Sequence, residues 1–195
     1  MNTAEASARD QDLIRDFLAG TVASFDQLVL KYQHPVFNLC NRMLGNTADA
    51  ADCAQETFIK VYSGLKYFQF KSSFSTWLYR IAVNTCKNKL ASAEYRRREK
   101  TLSLSAPKPE NDTPIEIGDF SGSPAEVFEK KETTELIMEA IAALPQEQRI
   151  LIILCDLEEK SYQDIVEITG LRLGTVKSKL ARARHLLRSK LEGAL

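Results

Sequence analysis

Between Arg172 and Lys190 the chain carries seven lysines and arginines (172, 177, 179, 182, 184, 188 and 190) and no acid. A helix that merely meets solvent mixes the two signs, because opposite charges four residues apart stabilise it. A run of one sign fits a polyanion, and the polyanion that cationic helices meet is nucleic acid. A second chemistry-bearing stretch runs from Lys66 to Leu90. Five aromatics (Tyr67, Phe68, Phe70, Phe74 and Trp77), followed by Tyr79, are interleaved there with Lys66, Lys71, Arg80 and Lys87. Rings to stack on and cations for a backbone are what unpaired bases require. The competing role for such rings is a hydrophobic core, which suits Phe74; Trp77 fits either role. A third cluster, Asp49, Asp52, Gln55 and Glu56, is acidic and amide in character, and composition alone makes it no more than a solvated helix face.

Catalytic chemistry finds no support. There is no metal-ligand cluster, nucleophile–base pair or glycine-rich phosphate loop, so no enzyme activity, metal or cofactor is expected. Cys40, Cys53, Cys86 and Cys155 are far apart, with no CxxC, and the histidines are His34 and His185 alone. Each cysteine sits among apolar helical neighbours and is expected to be a small buried hydrophobe.

The elements that must position these residues are helical. Glycine is sparse and no long run alternates with period two, so the fold class is all-α. Ser161 caps a helix carrying Tyr162, Ile165 and Ile168 on one face, and Gly170 ends it. A second helix starts near Gly174. Val176, Leu180, Ala183 and Leu187 share its inner side; Ser178, Ala181, Arg182 and His185, flanked by Lys177 and Arg188, share the outer one. That is the layout of a helix-turn-helix. Upstream, helices are expected over Asp10 to Leu18, from Ser24 past a kinking Pro35 to Met43, and over Thr47 to Leu65. The third should bury Ala51, Ala54, Phe58, Val61 and Leu65. A fourth starts at Ser72 or Ser73 and buries Phe74, Leu78 and Ile81, with Thr76, Tyr79, Arg80, Val83 and Lys87 on its far side. A fifth covers Lys130 to Ala143, burying Leu136, Ile137, Ala140, Ile141 and Leu144. Pro145 then opens a helix whose Ile150, Leu151, Ile153 and Leu154 are core.

Charge is segregated along the chain although the 26 bases and 26 acids cancel. Residues 66–100 carry nine bases and two acids, 101–135 three bases and eight acids. Two basic patches separated by acidic chain imply two nucleic-acid contacts. Residues 96–125 are polar and lack periodicity, which reads as a flexible acidic linker between domains at 10–95 and 126–195. No signal peptide or membrane-length apolar run is evident, so a soluble, cytoplasmic protein without direct membrane insertion is expected.

The runs DAADCAQETFIKVY, FSTWLYRIAVNTCKN and LPQEQRILIILCDLEEKSYQDIVEITGLRLGTVKSKLARARHLLRSKL, in that order, resemble bacterial sigma factors of the compact extracytoplasmic-function (ECF) group. The resemblance covers about Asp10 to Leu191. It implies a promoter-specificity subunit of RNA polymerase, with core RNA polymerase, promoter DNA and an anti-sigma factor as partners, the last holding the protein at the inner membrane where it is itself membrane-bound. Asp49, Asp52, Gln55 and Glu56 would dock on the polymerase core. Tyr67, Phe68, Phe70, Lys71, Ser72, Ser73, Trp77, Tyr79, Arg80, Asn84, Lys87 and Asn88 would serve the −10 element, with the loop Tyr67 to Ser73 as the pocket for an extruded base. Arg172, Thr175, Lys177, Ser178, Lys179, Ala181, Arg182 and His185 would serve the −35 element. Arg182 has the fork for guanine, and Ala181 offers only a methyl contact. The acids Glu110, Asp112, Glu116 and Asp119 would occupy a nucleic-acid channel of the polymerase. Trp77 is followed by Leu78 where housekeeping relatives carry a second tryptophan, which implies weaker melting and a stricter promoter. The loop FQFKSSF also lacks the glycine many relatives carry. The readings from other classes are a two-domain helix-turn-helix regulator acting without polymerase, and a nucleic-acid enzyme.

Overall fold

The computed structural model describes residues 3–92, Tyr95 and residues 124–192. Among these there is no β-strand, and the helices divide into two compact units. The expectations for the linker, including its four acids, lie outside the described residues, apart from residues 124 and 125.

In the first unit α1 (Thr3–Leu18) starts earlier than Asp10. Asp10 lies inside this helix, and its carboxylate reaches α2 rather than capping a helix start. It is buried, accepts the Tyr32 hydroxyl at 2.5 Å and pairs with the Lys31 ammonium, both on α2. Burial, then the hydrogen bond to Asp10, push the Tyr32 phenol far above its usual pKa, so it stays a donor. Helix α2 (Val22–Leu44) runs through Pro35 without ending, and its stripe of Phe25, Leu28, Tyr32, Val36, Leu39, Cys40 and Met43 is buried. Gly45 closes it in the left-handed conformation, φ 67°, donating to Asn41 O at 2.8 Å. Asn46 then caps α3 (Thr47–Gly64), its side chain accepting from the Asp49 N–H at 2.9 Å.

The buried side of α3 is Ala50, Cys53, Ala54, Thr57 and Val61. Ala51, expected inside, is exposed, and Phe58 is only half-buried. After the 3₁₀ turn Leu65–Tyr67, Ser73 starts α4 (Phe74–Ala91) by accepting the Thr76 N–H at 3.0 Å. Helix α4 packs against α1, α2 and α3 together. With neighbours on three sides its buried arc is wide, so Thr76, Tyr79 and Val83 are core rather than far-side residues, and Ile81 is half-buried. Cys40, Cys53 and Cys86 are buried free thiols brought from α2, α3 and α4. Hydrogen bonds to Cys40 and Cys53, then burial, push the Cys86 thiol far up, so it stays protonated.

In the second unit α5 (Pro124–Ala142) packs on α6 (Gln146–Ile152) and on α8 (Leu173–Glu192). Ala140, Ile141 and Leu144 are buried, whereas Leu136 and Ile137, expected in the core, are exposed. Helix α6 continues into a π turn, Ile153–Leu157, in which Glu158 N–H reaches Ile153 O at 2.9 Å. Ile150 to Leu154 are all buried. Ser161 caps α7 (Tyr162–Thr169), accepting the Asp164 N–H at 3.1 Å, and Gly170 ends it at φ 73°. The expected helix-turn-helix succession is present.

Replacing Asp10 removes the acceptor of a buried phenol. Asp10→Ala is expected to destabilise the first unit by about 1–3 kcal/mol. Urea unfolding followed by fluorescence of Trp77, the single tryptophan, measures this unit alone. A loss below about 0.5 kcal/mol, the range of ordinary surface changes, would mean that the Asp10–Tyr32 bond does not anchor α1.

Candidate nucleic-acid interface

The basic residues of α8 sort into two groups. Val176, Leu180 and Ala183 are buried and fix which side faces out. Arg172, Lys177, Ser178, Ala181, Arg182, His185 and Arg188 are exposed as expected, and Thr175 is half-buried, its carbonyl accepting the Ser178 hydroxyl at 3.1 Å. Lys179 and Arg184 have another use. Lys179, half-buried, pairs with Glu147 of α6, so its charge is shared with an acid of the same unit. Arg184 grips Asp156 of the π turn through two nitrogens, at 2.5 and 3.2 Å, and its Nη2 lies 3.5 Å from Cys155 Sγ. That hydrogen bond to Asp156 raises the guanidinium pKa further. Two ion pairs thus tie the flank of α8 to the α6 segment and hold its other face open. Glu147 and Asp156 escaped the sequence reading because they lie 32 and 28 residues from their partners, beyond any helical periodicity.

On α3 the open face keeps Asp52, Gln55 and Glu56 and loses Asp49. Asp49 is 3% exposed, with its carboxylate 3.0 Å from Lys89 Nζ of α4. It is turned toward α4, where Lys89 covers it. The hydrogen bond to Asp49 raises the Lys89 pKa. Glu56 pairs with Lys60 at 2.7 Å, and Lys60 also reaches Thr85 Oγ1 at 3.1 Å. Ile59 and Tyr62 are exposed on the same helix, extending this face with apolar surface that charge counting missed.

The aromatic segment splits between core and surface. Tyr67 is 73% exposed and Phe70 37%, whereas Phe68 at 8% and Tyr79 at 3% are buried, which removes both from a DNA face. Phe68 fills the gap beneath the loop, its ring 5.1 Å from Trp77 and 6.3 Å from Phe74. Trp77 is half-buried and lies beside Gly64, where an added Cβ would touch its ring at 3.4 Å. Lys71 is exposed and Ser72 half-buried. Ser73 is occupied by its cap, its hydroxyl also 2.7 Å from Thr76 Oγ1. Arg80, Asn84 and Asn88 are exposed along one stripe of α4, with Lys87 half-buried beside them. Cations and amides beside exposed rings suit single-stranded nucleic acid. The bare cationic face of α8 suits a duplex groove.

Two family models match in the order of the two units: sigma-70 region 2 over residues 28–98 and sigma-70 region 4 over residues 134–187. The class is that of promoter-reading subunits of transcription initiation. The chain is 35% identical over 191 residues to the RNA polymerase sigma-H factor of Pseudomonas aeruginosa, covering 96% of each chain. It is 36% identical over 183 residues to the ECF RNA polymerase sigma-E factor of Haemophilus influenzae, covering 94% of this chain and 95% of that one. The solved sigma factor RpoE, in complex with the anti-sigma factor NepR from Bartonella quintana, has a similar fold, with TM-score 0.66 and 24% identity over 86% of this chain and 96% of that one. The chain belongs to the sigma-70 family, in its extracytoplasmic-function group, and is a promoter-specificity subunit of bacterial RNA polymerase. A polymerase-independent regulator is thereby set aside. Among the described residues no helix is long and apolar enough to cross a membrane, and no group of side chains is arranged to hold a metal.

The division of labour on α8 has a salt signature. Lys177→Ala is expected to lower the slope of log affinity against log salt by about 1 on duplex promoter DNA. Lys179→Ala is expected to leave the slope unchanged and to cost the second unit less than about 1 kcal/mol, since the pair is partly exposed. Anisotropy titrations between roughly 50 and 200 mM salt measure both. Equal slopes for the two variants would mean that Lys179 leaves Glu147 for phosphate.

Proposed function

We propose that promoter reading is divided between the two units. The first, within residues 10–95, docks on core polymerase through Asp52, Gln55 and Glu56 and captures the −10 strand with Tyr67, Phe70, Lys71, Arg80, Asn84, Lys87 and Asn88. The second, within residues 126–195, reads the −35 duplex with Lys177, Ser178, Ala181, Arg182 and His185, and Arg172 and Thr175 meet phosphate at the start of the helix. The observation that carries this reading is the difference between the two open faces: exposed Tyr67 and Phe70 with cations in one, and a cationic helix face without Phe, Tyr or Trp in the other. The protein works by binding, with no reaction step of its own. It acts in the cytoplasm, where polymerase is. Its relative RpoE is solved with an anti-sigma factor, and a protein of that class is the partner that keeps this chain from polymerase, at the inner membrane where that partner is anchored there.

Gln55→Ala with Glu56→Ala is expected to weaken core binding about tenfold or more while circular dichroism stays unchanged. Arg182→Ala is expected to cost about 1–3 kcal/mol at the −35 element and to relax base preference there. Both follow from polymerase titrations and footprints on a promoter library. Unchanged core affinity would remove the docking face, and an unchanged −35 profile would remove the facing of α8.

A further inference from the structure

Helix α1 ends ten residues before the stretch that matches sigma-70 region 2, residues 28–98, so nothing in that match gives α1 a part in promoter reading. The structure nevertheless brings α1 to the loop that follows α3. The Arg15 guanidinium lies over the Phe70 ring, 5.8 Å from its centroid. Phe70 itself is unusual. Its backbone is left-handed, φ 55°, a conformation shared among the described non-glycine residues only with Glu159. A side chain with a Cβ pays steric strain there, and an aromatic residue stays only where its surroundings over-determine it.

The surroundings of Phe70 are two. On the inner side is Phe68, 4.9 Å between centroids, itself buried and packed on Trp77 and Phe74. On the α1 side is Arg15, a cation on the ring face. Arg15 is in turn steadied by Asp12, at 3.2 Å one turn earlier. Helix α1 is fixed by Asp10 on Tyr32, and the Tyr32 ring packs 5.4 Å from Phe74. The contacts therefore form a closed circuit: α1 to Tyr32, Phe74, Phe68, Phe70 and back to α1 through Arg15. A loop residue in a strained backbone is held at both ends of this circuit, and its ring remains partly exposed.

We propose that Arg15 is a positioning residue of the −10 pocket: by holding the Phe70 ring in its left-handed setting, it fixes the stacking surface offered to the extruded base and so sets how strongly, and which, base is held. This rests on the reading of the Tyr67–Ser73 loop as the base pocket. Arg15 touches no base in this scheme; it acts through Phe70. A bystander arginine paired with Asp12 would leave base preference alone. An arginine that grips the strand's phosphate directly would act independently of Phe70.

A double-mutant cycle separates these roles. Full-length protein assembled with core polymerase is presented with a library of single-stranded hexadeoxynucleotides, and bound sequences are counted at several concentrations. Phe70→Gly, which removes the ring and accepts the positive φ without strain, is expected to weaken binding at least about fivefold. Arg15→Ala is expected to weaken it roughly two- to fivefold and to flatten base preference at the same position that Phe70→Gly flattens. Arg15→Lys, which keeps the cation, should restore part of the loss. In the Phe70→Gly background, Arg15→Ala should add nothing. Additive losses in the double variant, or an Arg15→Ala profile indistinguishable from the wild type, would overturn the inference. If Phe70→Gly alone left binding unchanged, the base-pocket reading itself would fall, and the inference with it. Core affinity, measured in the same preparations, is expected to be unchanged for Arg15→Ala, and a drop there would assign Arg15 to docking instead.

Discussion

The first unit depends on how α4 is held. It lies against α1, α2 and α3 at once, so most of its circumference is core. Burial of Phe74, Leu78, Tyr79, Ala82, Val83 and Cys86 leaves a narrow outward stripe. Arg80, Asn84 and Asn88 recur on that stripe every fourth residue, which at 3.6 residues per turn keeps them nearly in line. A strand laid along them would meet a polar row fixed by the packing beneath. The same packing sets the loop before α4, because Phe74 and Phe68 belong to one aromatic cluster. Core and proposed strand face are therefore built together, and a cavity under Phe74 would disturb the exposed stripe as well as the fold.

Charge follows a comparable logic. The zero net charge includes bases used inside each unit as well as bases turned outward. Lys89 answers Asp49, Lys31 answers Asp10, and Lys179 and Arg184 answer Glu147 and Asp156. Each of these pairs joins two different helical segments, so their main effect is to set the placement of one element on another. Exposed pairs such as Lys179–Glu147 contribute little stability on their own, but the two on one flank of α8 together restrict its rotation. Arg172, Lys177, Arg182 and Arg188 are then left exposed on the outer side.

Much of this was legible from residue types. The caps at Ser73 and Ser161 and the helix end at Gly170 are local chemistry, and each is legible in the sequence. The inner and outer sides of α8 were also legible, because only one broad side of it is covered and a single apolar stripe marks that side. The failures share a cause. Periodicity says which residues share a face, but it cannot say how many faces neighbours will cover. Periodicity puts Tyr79 and Thr76 on the outer side of an amphipathic helix with one buried face, whereas α4 has neighbours on three sides. Leu136 and Ile137 erred in the opposite direction: apolar and in register, they lie on a part of α5 that is left exposed. Asp49 and Phe68 were misplaced because a charge and a ring within a cluster look alike in sequence, whichever of them the core claims.

Phe70 carries the point furthest. From sequence, the absence of glycine in FQFKSSF was a departure with no structural meaning attached. In the structure the chain still takes a left-handed turn, and it takes it at an aromatic residue. The ring at that turn is held between Phe68 and Arg15. Glycine would make that turn without strain and add no surface. Phenylalanine makes it at a steric cost that its neighbours must offset, and gains a stacking face at the mouth of the loop. The requirement for those neighbours is what ties α1, through one arginine, to the loop proposed as the base pocket.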